Sequence, residues 1–155
     1  MGDFLPLNST NSTEETYLEL TGFSFEAAHL TYTREKGEYG LHGHSFNVRI
    51  KIWGRPDPDT YIIIDTSMVR ELLEEIIQRL DHKVVIGINQ YELRFMLEKN
   101  NIQYTILPYP QATMEALSQY IGKILWSKLS RYNIKTVETC VSQGSNEYAC
   151  YKINV

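Results

Sequence analysis

The chain has 155 residues, the length of one domain, so a second catalytic domain is not expected. Hydrophobic residues make up 43% and charged residues 22%, which excludes a disordered chain, a collagen-like repeat and a disulfide-dense scaffold. With 15 Lys+Arg against 19 Asp+Glu the net charge is -4 and no basic run stands out, so nucleic acid is not an expected partner.

Residues 1–16 have neither the basic start nor the apolar stretch of a secretory signal, and read as a flexible tail before a single domain over 17–155. The Asn-Ser-Thr triplets at Asn8 and Asn11 match a glycosylation pattern, but without a secretory signal they carry little weight. No stretch approaches the roughly 18 consecutive apolar residues of a membrane helix, so no membrane partner is expected and the cytoplasm is the default location. Tyr17–Ala28 alternates as a strand, with Leu18, Leu20, Gly22, Ser24 and Glu26 on one face and Tyr17, Phe23 and Phe25 on the other. A polar loop over Thr31–Gly40 leads to a clear half-buried strand, Ser45–Trp53, with Phe46, Val48, Ile50 and Ile52 on its apolar face. Gly54–Thr60 reads as a turn, and Tyr61–Ile64 as a short third strand of a meander.

Asp65, Thr66 and Ser67 are helix-capping types ahead of Met68/Val69, Leu72/Leu73, Ile76/Ile77 and Leu80, which recur at helical spacing. Residues 83–111 are less regular, with a short helix suggested at Tyr91–Lys99 and an extended piece at Gln103–Leu107. A second amphipathic helix follows over Thr113–Leu129, then two strands, Lys135–Ser142 and Glu147–Val155, across the turn Gln143–Asn146. This order implies an α+β domain, an antiparallel β-sheet with two helices packed on one face. Cys140 and Cys150, ten apart, supply neither a metal pair nor a disulfide framework by spacing.

The histidines carry the main chemical clue. His42 and His44 flank Gly43, and in an extended backbone residues i and i+2 point to one side, so both imidazoles can reach one ion. H-x-H is also common by chance, and Gly43 is equally a turn glycine. His29 ends the preceding strand, where an antiparallel neighbour can bring it beside the pair. Three neutral imidazoles with an open fourth position make a catalytic zinc site. Asp81-His82 at the end of the first helix has a plain reading as a cation at a helix C-terminus. Glu138 interrupts an apolar strand; if buried it needs donors, and the paired donors of a pterin or guanine edge suit a carboxylate.

Phe25-Glu26-Ala27-Ala28-His29, His42-Gly43-His44-Ser45-Phe46, Ile64-Asp65, Leu80-Asp81-His82, Ala112-Thr113-Met114-Glu115 and Val137-Glu138-Thr139, in this order, resemble the 6-pyruvoyltetrahydropterin synthase / 6-carboxytetrahydropterin synthase family. The resemblance spans Tyr17 to Val155. It implies a tunnelling fold (T-fold) and a ring-like homo-oligomer, usually a hexamer built as a dimer of trimers, with active sites between subunits. Carried over by position, His29, His42 and His44 would bind Zn2+ and Glu138 would anchor the pterin. Asp81 and His82 would move protons, reaching in from a neighbouring subunit. Thr113 would lie by the pterin edge, and Glu115 matches the family's acid while also suiting a helix start.

One departure matters. The usual family member has a cysteine as general base four residues before H-G-H, and Glu38 stands there in this chain. Some relatives with a glutamate in this loop resemble enzymes that cleave the pterin side chain to 6-hydroxymethyl-7,8-dihydropterin. The resemblance therefore implies a zinc-dependent lyase on 7,8-dihydroneopterin triphosphate. Its alternatives are 6-carboxy- or 6-pyruvoyl-tetrahydropterin synthesis and a non-catalytic pterin-binding scaffold. Arg34, Lys36 and Lys51 are candidates for the triphosphate without a specific signal.

Overall fold

The structure is a computed structural model and describes residues 15–154. The expected tail and the triplets at Asn8 and Asn11 thus lie outside or almost outside the described residues. Six strands and three helices follow in the order β1 (Tyr17–Thr33), β2 (Gly37–Gly54), α1 (Thr66–Gln78), β3 (Lys83–Gly87), α2 (Tyr91–Lys99), β4 (Tyr104–Leu107), α3 (Met114–Leu129), β5 (Ile134–Ser142) and β6 (Ala149–Asn154). The sheet order is β4-β3-β1-β2-β5-β6. β1, β2, β5 and β6 pair antiparallel, but β3 runs parallel to both β1 and β4. The sheet is therefore mixed rather than purely antiparallel. The weakly patterned stretch after α1 builds the parallel edge by returning through α2, the crossover that parallel strands require.

β1 and β2 are longer than their alternation indicates. The polar stretch between them is strand on both sides of a turn closed by Gly37, whose φ of 75° suits glycine. Gly43 is consequently an ordinary strand residue opposite Ala28, not a turn glycine. A register shift between Leu20 and Phe23, with Gly22 at φ 84°, inserts a bulge. It moves Leu20, Phe23, Phe25 and Ala27 onto one buried face, so the face assignment by strict alternation fails at that point. The third expected strand, Tyr61–Ile64, is absent. Asp57 caps the loop by accepting from the Asp59 and Thr60 amides at 3.0 and 2.9 Å, and Tyr61 takes a left-handed backbone that ends any extended run.

The core lies between the sheet and helices α1 and α3. Phe25 and Phe46 stack across β1 and β2 with ring centres 5.0 Å apart, against Leu73, Ile76, Leu117 and Ile121 from the helices. Asp65 caps α1 by accepting from the Ser67 amide at 2.8 Å, and the Thr113 hydroxyl caps α3 by accepting from the Ala116 amide at 3.2 Å. α2 packs elsewhere: Leu93 and Leu97 meet Ala28, Val84 and Ile86, a second cluster on the parallel edge. Among the described residues three helices are therefore present: the two expected against the core face, α1 and α3, and the short one suggested over Tyr91–Lys99. No helix among the described residues is long and apolar enough to cross a membrane.

Cys140 and Cys150 face each other across β5 and β6 and form a disulfide. Spacing alone did not pair them, because the turn between the strands sets their register. Close approach elsewhere is set by Gly87, where an added Cβ would lie 2.2 Å from the Pro110 carbonyl oxygen and 2.3 Å from the Gln111 nitrogen. Backbone cannot yield as a flexible side chain does. Gly87→Ala should therefore cost roughly 1–3 kcal/mol, lowering the midpoint of a thermal melt by several degrees. Because the displaced segment continues into Ala112, the same variant should weaken metal binding at the site described next.

Candidate active site

The antiparallel register of β1 and β2 sets His29 directly opposite His42, with His44 two residues further along the same strand. All three rings lie on the core face. His29 and His44 meet the Phe46 ring edge to face at 5.5 and 5.6 Å, and the three imidazole centres are 4.7 to 5.2 Å from one another. One ligand atom from each of His29, His42 and His44 falls within 4.8 Å of the other two.

Two backbone carbonyls fix how these rings can act. His29 Nδ1 donates to the Ala112 oxygen and His42 Nδ1 donates to the Gly40 oxygen, both at 2.6 Å. A carbonyl can only accept, so each Nδ1 carries the proton and each Nε2 presents a lone pair. Those two Nε2 atoms stand 3.2 Å apart, an arrangement of facing lone pairs that a shared cation turns from repulsive to attractive. His44 Nε2 is buried and has no protein hydrogen-bond partner. Burial pushes His29 below its ordinary pKa, outweighing the Ala112 hydrogen bond that favours the charged ring, and the neighbouring His42 and His44 act in the same direction. Burial, then His42, lowers His44 likewise. The residues therefore fit a divalent metal: three nitrogen ligands, two of them oriented by carbonyls, with no cysteine or carboxylate closing the set.

The supporting segment is held in place. Gln111 accepts from the Tyr32 amide at 2.9 Å and donates to its carbonyl at 3.1 Å, and Gln90 bridges the Gly87 amide and the Leu30 carbonyl, both at 2.7 Å. Sequence reading missed both glutamines. Their signal lies in pairings 79 and 60 residues apart, which no local pattern carries.

The other expected site residues are distributed around this cluster. Thr113 caps α3 next to Ala112, and Glu115 is exposed in the first turn of the same helix. Glu38 pairs with Tyr32 and lines a groove against α2 with Leu30, Leu41, Tyr91 and Met96. Asp81 and His82 pair with each other, His82 Nδ1 lying 2.8 Å from Asp81 Oδ2, and Asp81 Oδ1 accepts from the Glu26 amide at 2.8 Å. His82 opens on a cleft of about 630 Å3 that Glu26, His44, Ser45, Lys83 and Gln103 also line, so it faces the same space as one triad histidine without being a member of the histidine cluster. Glu138 faces Lys51, seven residues along β2 from His44, a distance of about 23 Å at strand rise. It also lies on the sheet face away from the core, so within one chain it is not brought to the histidines. The part of β5 nearest the cluster is Ser142, opposite Asn47, and the half-buried Gln143 that follows it.

A model of the 6-pyruvoyl tetrahydropterin synthase family matches residues 19–154. The chain belongs to this family. Its members are lyases of pterin biosynthesis and generally metal-dependent. A 6-carboxy-5,6,7,8-tetrahydropterin synthase of Aquifex aeolicus is 26% identical over 152 residues, covering 84% of this chain and 94% of that protein. A Methanocaldococcus jannaschii protein provisionally given the same name is 28% identical, covering 84% and 90%. Among solved structures, Plasmodium vivax 6-pyruvoyltetrahydropterin synthase superposes with a TM-score of 0.75 at 19% identity, covering 92% of this chain and 99% of that one. That protein has also been solved as variants of a catalytic glutamate replaced by alanine or by cysteine. The architecture is thus the α+β tunnelling fold.

The Glu26 amide, followed by His82, holds the Asp81 carboxyl below the usual range. A depressed folded-state pKa adds stability above about 3.9, the unfolded value, that is lost as pH falls through the folded value. Asp81→Asn keeps an oxygen for the Glu26 amide but not the charge. The expected result is a flatter stability curve than that of the unaltered protein in urea titrations between pH 5 and pH 2.

Proposed function

We propose that the chain is a zinc-dependent lyase acting on 7,8-dihydroneopterin triphosphate and cleaving its side chain to 6-hydroxymethyl-7,8-dihydropterin. The observation that carries this reading is the histidine triad, two of its rings oriented by carbonyls, in a chain of this family with Glu38 where the family's thiol base stands. A catalytic glutamate in the Plasmodium vivax protein of the same fold supports it.

His29, His42 and His44 would hold the metal, which when bound supplies Lewis acidity toward the side-chain oxygens of the substrate. Glu38 acts as general base and takes the proton of a side-chain hydroxyl. The adjacent carbon–carbon bond then breaks, its electron pair passes to the carbon attached to the ring, and His82, oriented by Asp81, returns a proton there. Thr113 and Glu115, at the helix start beside Ala112, lie toward the pterin edge. Glu138 reaches such a site only from another copy of the chain, since within one chain it lies on the opposite face.

The working unit in this reading is a cytoplasmic homo-oligomer, a hexamer on the family pattern, in which Asp81 and His82 serve the histidine triad of a neighbour. One feature supports an oligomer: Tyr91, Phe95 and Met96 on α2 are exposed beside Leu41 and Tyr32. The names of the archaeal and bacterial relatives favour a second reading, 6-carboxytetrahydropterin synthesis.

Incubation of zinc-loaded protein with 7,8-dihydroneopterin triphosphate, with products identified by chromatography and mass, separates the two. A 6-hydroxymethyl product is expected, with Glu38→Ala reducing turnover about 100-fold or more, as for loss of a general base. A 6-carboxy product, with release of acetaldehyde, would replace the first reading by the second. Sharing of sites predicts that mixing inactive His44→Ala and His82→Ala proteins, after dissociation and reassembly, restores part of the activity.

A further inference from the structure

The sheet face away from the core holds a second group of ligand atoms, of which the proposed chemistry uses only the Glu138 carboxylate and neither sulfur. Glu138 and Cys140, two apart on β5, share this face, and Cys150 on β6 stands directly opposite Cys140 with a Cα separation of 4.0 Å. One ligand atom from each of the three lies within 4.8 Å of the others, and Cys140 Sγ is 3.9 Å from Glu138 Oε1. Cations frame the group. Arg49 is opposite Cys140 on β2, and Lys51 and Lys152 are opposite Glu138 on its two sides. Nearby cations favour thiolate over thiol.

Access differs at the two sulfurs. Cys140 is buried, whereas Cys150 is exposed on β6, the edge strand of the sheet, so a reductant in solution reaches the bond through Cys150. We infer that Cys140, Cys150 and Glu138 form a redox-gated metal site, closed as a disulfide and, when reduced, taking a thiophilic divalent cation of the zinc or cadmium class. An external phosphine or dithiol supplies two electrons; the S–S bond breaks and two protons from water complete the two thiols. The incoming cation displaces those two protons. Two thiolates and one carboxylate then hold it, leaving a fourth position for water. Sulfur ligands distinguish this site from the all-nitrogen triad, since soft thiolates prefer different ions from imidazole.

The site is tested by titrating Co2+ into the full-length protein with and without a phosphine reductant. Oxidised protein should take up one equivalent with the spectrum of imidazole ligands. Reduced protein should take up two, the second with a thiolate-to-cobalt charge-transfer band in the near ultraviolet. Cys150→Ser, at an exposed position, should return the reduced protein to one equivalent and remove the band, and Glu138→Gln should weaken the second equivalent about tenfold. His44→Ala should keep the thiolate band while weakening the other site, which separates failure of this inference from failure of the histidine site. One equivalent in the reduced protein with no thiolate band, or a band that survives Cys150→Ser, would overturn the inference.

Discussion

The long antiparallel pairing of β1 with β2 is the constraint on which the rest of the molecule depends. Its register puts Phe25 opposite Phe46 and His29 opposite His42, so one ladder aligns both the core and the histidine cluster. The bulge at Gly22 matters for the same reason. Because side chains alternate with period two, a one-residue slip without it would turn either the leucines before it or the phenylalanines after it toward solvent. Strand pairing on both flanks then carries the core outward, to β5 and β6 on one side and to β3 and β4 on the other.

The imidazoles are useful because the fold disfavours charge on His29 and His44 and aims the rings of His29 and His42. Burial against Phe46 disfavours the charged form, while the Ala112 and Gly40 carbonyls occupy the Nδ1 protons and leave the Nε2 lone pairs. The Ala112 carbonyl is itself positioned from a distance: Gly87 permits the close approach of the 110–111 backbone, and Gln111 ties that backbone to β1. A site of three atoms thus draws on four separate parts of the chain.

The two faces of the sheet carry different chemistry. The core face bears the nitrogen cluster at one end. The other face carries an alternation of charge across four strands, Glu19, Lys51, Glu138 and Lys152 in register, beside the disulfide. Opposite charges at facing positions stabilise a sheet surface, and here they also set cations beside two sulfurs and a carboxylate. His82, paired with Asp81, opens on a cleft that Glu26, Ser45 and the triad's His44 also line.

Much of this was legible in the chain. The capped helices α1 and α3, the apolar face of β2 and the ordered motifs that mark the family all rest on residue types at short, regular spacing, and the structure and the family match bear them out. What the chain did not disclose depends on contacts between distant segments. The parallel edge through β3 and β4, the bulge, the replacement of the third strand by a capped loop, the pairing of Cys140 with Cys150 and the separation of Glu138 from the histidines are of this kind. Periodicity reports which face of an element is apolar. It cannot report which strand lies beside which, or in what register, because those choices are made by packing across the whole core.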